Sequence, residues 1–133
     1  MTPAAKIHAP TSAAPGRVCA AVGAFVEGLG DTLNDHTMGA QQINLLLVLY
    51  VHGELNQHDL PRFTHVQKSA NGRNIERLGL GSYRQTGLGL LESYEEPTNR
   101  RFKMVRLTPK GRAILEDVAR KVTPYFIINP AVH

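Results

Sequence analysis

The stretch GLLESYEEPTNRRFKMVRLTPKGR, residues 89–112, decides the fold. It holds two segments typical of β-strands, Leu90–Tyr94 and Phe102–Leu107, and the polar segment between them carries two adjacent arginines. Thr108 then precedes Pro109, which is a strong helix start because a threonine hydroxyl can cap a helix and proline has no amide hydrogen to leave unpaired. The stretch therefore predicts a β-hairpin with an arginine-bearing tip, followed by a helix.

Two short helices are predicted upstream of this hairpin. Asn56 is a good N-cap, and Leu60 and Phe63 lie three residues apart on the short helix that follows it. After a connection of three residues, a second helix is predicted over 67–78, with a basic outer face. Two short helices joined by such a turn are typical of a helix-turn-helix.

Longer helices are predicted on both sides of this central part. The first, over 17–35, has apolar residues at helical spacing: Val18, Val22, Phe25, Leu29 and Leu33. The segment 40–52 is apolar nearly all round, which indicates a buried helix or a buried strand, and its length favours the helix. A last helix is predicted over 109–122. The glycine-rich segment 79–89 between the second short helix and the hairpin is interpreted as a flexible connector.

The positive charge is concentrated in the middle of the chain. Residues 61–112 hold eleven Lys and Arg against four Asp and Glu, a net charge of +7, whereas the rest holds four against seven, a net charge of −3. This asymmetry indicates a polyanionic partner for the middle segment. A solvated basic surface is the alternative that charge alone leaves open.

Several other function classes find no support in the sequence. The longest apolar run, 45–51, is far short of the roughly 18 residues that span a bilayer, and no secretory signal is evident. The single cysteine, Cys19, cannot form an internal disulfide, which favours a cytoplasmic location. Cys19 is interpreted as a small buried helix residue. The six histidines lack metal-site spacing and no catalytic constellation can be assembled, so no metal, no cofactor and no enzyme activity is predicted.

The order of these elements, together with three motifs, resembles the MarR family of bacterial transcription regulators. Gly89-Leu90-Leu91-Glu92, Glu96-Pro97-Thr98-Asn99-Arg100-Arg101 and Val105-Arg106-Leu107-Thr108-Pro109-Lys110-Gly111-Arg112 look like the family's strand, wing tip and helix start. A weaker match to its helix-turn-helix is formed by Gln57-His58-Asp59-Leu60, Lys68-Ser69-Ala70 and Arg73-Asn74-Ile75-Glu76-Arg77-Leu78. The resemblance covers about residues 40–120.

The chain departs from the family's pattern at four places. Asn99 stands where an aspartate is usual, so the salt bridge that orders the wing base is in question. Asn71-Gly72 lies in the middle of the second short helix, and both residues are poor helix formers. The expectation is either a kink there or a helix that settles only on DNA. The 79–89 connector is longer than usual, and the chain is short after Val122.

The resemblance implies a mainly α fold with a small β-hairpin wing (α+β), a winged helix-turn-helix with flanking dimerisation helices. Residues 1–16 are expected to be a flexible tail, and 17–133 a single winged-helix domain. Within that domain, 17–35 and 109–133 are expected to dimerise, and 40–108 to form a DNA-binding lobe. The helix-turn-helix then spans 57–78 and the wing 90–108.

Eight residues are the candidate DNA contacts. Four on the second helix would enter the major groove, where Arg pairs well with guanine and Gln with adenine: Gln67, Lys68, Ser69 and Arg73. Arg77, further along the helix, is expected at a phosphate. The resemblance suggests that Arg101 enters the minor groove, whose negative potential suits a guanidinium, with Arg100 and Lys103 at phosphates.

The leading hypothesis is a homodimeric, sequence-specific regulator of transcription, expected to be a repressor, with double-stranded DNA as its partner. Control by a small-molecule effector of unknown identity is a family expectation, and no membrane partner is expected. Two alternatives stay open. One is a winged-helix adaptor that binds proteins and has lost DNA binding, which the Asn71-Gly72 interruption would favour. The other is a thiol-switch regulator that acts through Cys19.

Overall fold

A computed structural model describes residues 13–126 of the chain. The helices of this part are α1 (Ala13–Leu33), α2 (Ala40–His52), α3 (Leu60–Thr64), α4 (Lys68–Leu78) and α5 (Pro109–Val122). The strands are β1 (Glu54–Asn56), β2 (Gly81–Ser82), β3 (Gln85–Thr86), β4 (Leu91–Glu96) and β5 (Asn99–Leu107). Short 3-10 turns cover Gln57–Asp59 and Thr123–Tyr125. The element order is that of a winged helix, so the predicted fold class is confirmed.

The chain divides into two compact units. One contains residues 37–114, which include α2 to α4, all five strands and the start of α5. The other contains α1 together with the segment from Leu115 onward. Among residues 13–126, no helix has both the length and the apolar character that crossing a bilayer requires.

Helix α2 is the core of the 37–114 unit. Its leucines Leu45, Leu46 and Leu49 are completely or almost completely buried, as expected for a segment that is apolar nearly all round. The helix begins after Gly39, whose amide donates to Gln42 Oε1 at 3.3 Å, and it ends at Gly53. Of the two structures that the sequence left open for this segment, the helix is confirmed.

The predicted hairpin is present and belongs to a three-stranded antiparallel sheet in the order β1-β5-β4. Its strands pair from Leu91 opposite Leu107 to Glu96 opposite Asn99. Strand β1 was not predicted; it pairs with β5 from Glu54 opposite Arg106 to Asn56 opposite Met104. The base of the hairpin is held by buried Val105, whereas the half nearest its tip is exposed.

The predicted flexible connector is in fact folded. Within 79–89, β2 and β3 form a second small hairpin, with Gly81 opposite Thr86 and Ser82 opposite Gln85. A backbone bond of 2.8 Å from Gly89 N to Gly79 O closes its base. Gly87 makes this closure possible, because a Cβ there would lie only 2.1 Å from Gly79 O.

Helix α1 begins at Ala13, four residues before the predicted start. The last four residues of the predicted flexible tail are therefore helical, and 1–12 lie outside the described residues. Only part of the predicted apolar stripe is buried: Leu29 is 2% exposed, whereas Val18 and Val22 are 47% and 56% exposed. Cys19 is also exposed, so its interpretation as a buried residue is wrong. Among residues 13–126, nothing covers the part of α1 that carries Val18, Cys19 and Val22.

Candidate nucleic-acid interface

A buried polar network fixes the turn between α3 and α4. Asn71 is only 2% exposed, and its Nδ2 donates to Thr64 Oγ1 at 3.1 Å and to Val66 O at 3.0 Å. The Thr64 hydroxyl also accepts from Val66 N at 3.2 Å. Because buried polar groups are costly when unpaired, these bonds hold the turn in one geometry. The network therefore sets the angle at which α4 leaves α3.

Helix α4 runs without interruption from Lys68 to Leu78, so the expected kink at Asn71-Gly72 is absent. The helix propensity of asparagine is less favourable than that of alanine by less than about 1 kcal/mol. The inward hydrogen bonds of Asn71 outweigh this small cost. Gly72 faces open space, since a Cβ there would meet no atom within 4 Å. The feature that favoured the adaptor alternative is thus not present in the folded helix.

The outer face of α4 carries four of the candidate residues. Gln67 is the N-cap residue, and Lys68, Ser69 and Arg73 follow it; all four are exposed. Neither Lys68 nor Arg73 forms an ion pair with any other described residue. The side chains on this face are therefore available to an external partner.

Arg77 differs from the other candidates. It is half-buried, and its Nη2 donates to Thr37 Oγ1 at 3.4 Å. A contact with phosphate would have to compete with this bond or share the guanidinium with it. Sequence reasoning missed Thr37 because it lies forty positions away along the chain.

The tip of the β4–β5 wing is ordered by its own polar side chains. Glu96 Oε1 accepts from the amide and the hydroxyl of Thr98, at 3.3 and 3.0 Å. Asn99 Oδ1 accepts from Arg101 N at 3.2 Å and from Arg101 Nε at 3.5 Å. Asn99 therefore contacts Arg101 through one hydrogen bond from the backbone amide and one from the cationic guanidinium, without the carboxylate that a salt bridge requires. Arg100, Arg101 and Lys103 are all exposed.

Further from the tip, a charged cluster joins the three strands on their exposed face. Arg106 Nε lies 2.8 Å from Glu92 Oε2, and its guanidinium lies over the Tyr94 ring at 4.3 Å. The Tyr94 hydroxyl donates to Glu54 on β1. This hydrogen bond raises the pKa of Tyr94 above its ordinary value, and the bond to Glu92 raises the pKa of Arg106. The sequence contains these residues but not their register, so the cluster was not predicted.

Helix α4 and the wing strands border one cleft of about 230 Å³ inside the 37–114 unit. Gly72 and Glu76 line it from α4, and Ser93 and Lys103 line it from β4 and β5. The cationic helix and the arginine-bearing wing are therefore neighbours. This arrangement can present positive charge to two successive features of a polyanion.

The chain is similar to known transcriptional regulators. No family model matches the chain. The chain is 28% identical over 112 residues, 77% of its own length and 70% of the other's, to an uncharacterised HTH-type transcriptional regulator, YdgG of Bacillus subtilis.

Solved structures match over most of the chain. BpsR of Bordetella bronchiseptica, studied for the regulation of its DNA binding by 6-hydroxynicotinic acid, is 28% identical. The match covers 89% of this chain and 83% of BpsR, with a TM-score of 0.52. A MarR variant from E. coli complexed with operator DNA is 21% identical, covers 80% of this chain and 77% of its own, and has a TM-score of 0.52, which is a likeness of fold. The chain is thus similar in sequence to an HTH-type transcriptional regulator and to BpsR, and it shares the winged-helix fold of MarR.

Proposed function

We propose that this chain is a transcriptional regulator of the MarR type, which binds double-stranded DNA sequence-specifically as a homodimer and represses transcription. One observation carries the proposal. Five exposed cations of α4 and the wing form no ion pair with any of residues 13–126: Lys68, Arg73, Arg100, Arg101 and Lys103. Helix α4 and the wing also border the same cleft. Surface cations are often paired with carboxylates, and a cluster left unpaired on one face is complementary to a polyanion.

Helix α4 is the reading element of this proposal. A helix fits the major groove of B-DNA, where the bases present distinct patterns of donors and acceptors. Arg73 is the candidate for a bidentate contact with guanine, and Gln67 for a contact with adenine. Lys68 and Ser69 stand at the start of the same helix, and Arg77 would meet a phosphate by sharing or exchanging the bond that its guanidinium donates to Thr37.

The wing is the second contact. Arg101 would enter the minor groove next to the half-site, because a narrow minor groove has an enhanced negative potential. Asn99 restricts the arginine through two hydrogen bonds, so less conformational entropy is lost when the side chain is immobilised. Arg100 and Lys103, on the same strand, would neutralise phosphates.

A second copy of the chain is the proposed cover for the exposed face of α1. Val18, Val22 and Val26 follow one another at helical spacing and are each more than 40% exposed. Phe126, where the described residues end, is 57% exposed. Apolar surface of this kind is stabilised by burial in a subunit interface, and two-fold symmetry would then present two copies of α4 to the DNA. The ligand named for BpsR supports a small-molecule effector here as well, of unknown identity.

The test is selection of duplexes from a random pool by the purified chain. We expect an inverted repeat whose half-sites lie about one helical turn, or roughly 10 base pairs, apart. With about six phosphate contacts per dimer, the logarithm of the binding constant should fall against the logarithm of salt concentration with a slope of about −5. Failure to bind any duplex at low salt would contradict the proposal and favour the adaptor.

A further inference from the structure

The second hairpin, β2–β3, takes no part in the DNA contacts proposed for α4 and the wing. The hairpin follows α4 directly in the sequence. Backbone hydrogen bonds connect the two, including one of 3.0 Å from Leu88 N to Arg77 O. We call residues 81–86 the accessory hairpin. Its strands are only two residues long, so its tip is a two-residue turn formed by Tyr83 and Arg84.

The tip carries the cationic side chain of Arg84, which contacts the neighbouring Tyr83. Arg84 Nε donates to the Tyr83 hydroxyl at 2.9 Å, and the guanidinium carbon lies 5.4 Å from the centre of the Tyr83 ring. Tyr83 itself is 92% exposed. No Asp or Glu occurs between Glu76 and Glu92 in the sequence. A guanidinium held over an aromatic ring keeps its outward donors. Arg84 forms no ion pair with any of residues 13–126, so the tip offers N–H groups to an external acceptor.

The base of the accessory hairpin belongs to the cleft between α4 and the wing. Leu80 and Gly81 line that cleft together with Gly72 of α4 and Lys103 of β5. When a helix occupies a major groove and a wing occupies the adjacent minor groove, a phosphate strand runs between the two. The hairpin therefore leaves the protein next to the elements that would lie on either side of that strand.

We infer that the accessory hairpin is a third DNA contact, in which Arg84 donates hydrogen bonds to backbone phosphate oxygens. This inference rests on the proposed function and extends it. Such a contact strengthens binding without reading the sequence, because phosphates are the same at every base pair. Two copies per dimer would add about two units to the salt dependence of binding.

A protein partner is the competing occupant of this surface. Leu80, at the hairpin base, is 91% exposed and would suit an apolar contact. The tip itself is polar: Ser82, Gln85 and Thr86 surround the stacked pair, and all three are exposed. The chemistry of the tip thus favours a polyanion, and DNA binding that is unchanged in Arg84→Gln would leave the protein partner as the occupant.

The experiment compares four full-length chains: the wild type, Arg84→Gln, Leu80→Ser and the control Arg120→Gln. Arg120 is an exposed cation of the other compact unit. Dissociation constants are measured against salt concentration on two duplexes of equal length, one with the selected operator and one of random sequence. For Arg84→Gln we expect affinity to fall about 3- to 10-fold on both duplexes and the salt slope to shrink by about two. For Leu80→Ser and Arg120→Gln we expect no change.

The outcomes separate this inference from the proposed function. If the wild type binds DNA and Arg84→Gln keeps both the wild-type affinity and the wild-type slope, the inference is overturned and the proposed function stands. A loss of DNA affinity in Leu80→Ser but not in Arg84→Gln would likewise overturn it, because the hairpin would then act through its apolar base and not through the Arg84 guanidinium. If the wild type binds neither duplex, the proposed function fails first and the inference fails with it. Ethylation interference adds a direct readout. In each half-site, the phosphate contacted by Arg84 should matter to the wild type and no longer matter to Arg84→Gln, whereas the phosphates contacted by α4 and the wing should matter to both proteins.

Discussion

Arg73→Ala is expected to lower the affinity for the selected operator by about 10- to 100-fold, because a good bidentate contact with a base discriminates by about 1–3 kcal/mol. The affinity for random duplex should fall far less. Arg73 is exposed and has no ion pair among the described residues, so the substitution leaves no unpaired partner in the protein. Competition titrations with operators altered at one base pair at a time provide the measurement. Arg73→Ala should lose discrimination at a single position of each half-site.

The matched control is Arg101→Ala on the wing. It should weaken binding to the operator too, but the sensitivity that it removes should map to the flanking minor groove and follow A·T content instead of one base pair. Arg120→Ala, in the other compact unit, should bind as the wild type does. An Arg73→Ala protein that still distinguishes every single-base operator variant as the wild type does would show that α4 does not read the bases through this residue.

Gly111→Ala is expected to destabilise the chain by about 3 kcal/mol, at the upper end of what overpacking costs. Gly111 lies in the first turn of α5, and a Cβ there would lie 1.9 Å from the carbonyl oxygen of Leu90. The clash is with backbone. The Leu90 carbonyl is also fixed, because it accepts from Thr108 N at 3.0 Å, so little relief is available. Urea unfolding followed by circular dichroism should give a lower midpoint.

Gly72→Ala is the control for this substitution. A Cβ at Gly72 meets no atom within 4 Å, so alanine there adds helix propensity without a clash. The midpoint should rise, by an amount that corresponds to up to about 1 kcal/mol. If Gly111→Ala kept the wild-type midpoint or raised it, the close crossing of α5 over Leu90 would be contradicted.

The parts of the fold that depend on local sequence could be predicted. Thr108 and Pro109 begin α5 as expected, with the Thr108 hydroxyl accepting from Gly111 N at 3.0 Å. The β4–β5 hairpin follows from its alternating strands and polar tip. For the segment 40–52, length favours a helix over a buried strand. Each of these signals is contained within a few residues, so no knowledge of the rest of the chain was needed.

Other parts depend on contacts between distant residues and could not be predicted. Strand β1 is three residues long and exists because β5 pairs with it. Asn71 was expected to weaken α4, but Thr64 and Val66 turn its amide into a brace for the turn. Cys19 was expected to be buried, but it is exposed. Helix periodicity in the sequence does not reveal which side of α1 packs against the other described residues. The accessory hairpin was read as a flexible connector because strands of two residues leave almost no periodic signal.

The candidate site divides in the same way. The exposure of Lys68, Arg73 and Arg101 could be expected from charge and periodicity. The partner of Arg77 could not be, and neither could the cluster around Arg106, because both depend on tertiary positions. That these residues contact DNA stays a prediction.

The most direct measurement is DNA cleavage by an iron chelate tethered first to α4 and then to the wing. Cys19→Ser removes the one cysteine of the sequence. In this background a single cysteine is then introduced, either by Ser69→Cys on α4 or by Thr98→Cys at the wing tip. Both side chains are exposed. The α4 tether should cut within each half-site of the operator, and the wing tether should cut in the flanking minor groove, roughly 5 base pairs, or half a helical turn, further out. Cuts from the two tethers that bear no fixed relation to the same half-site, or cuts from only one of them, would contradict a helix and a wing that engage one half-site together.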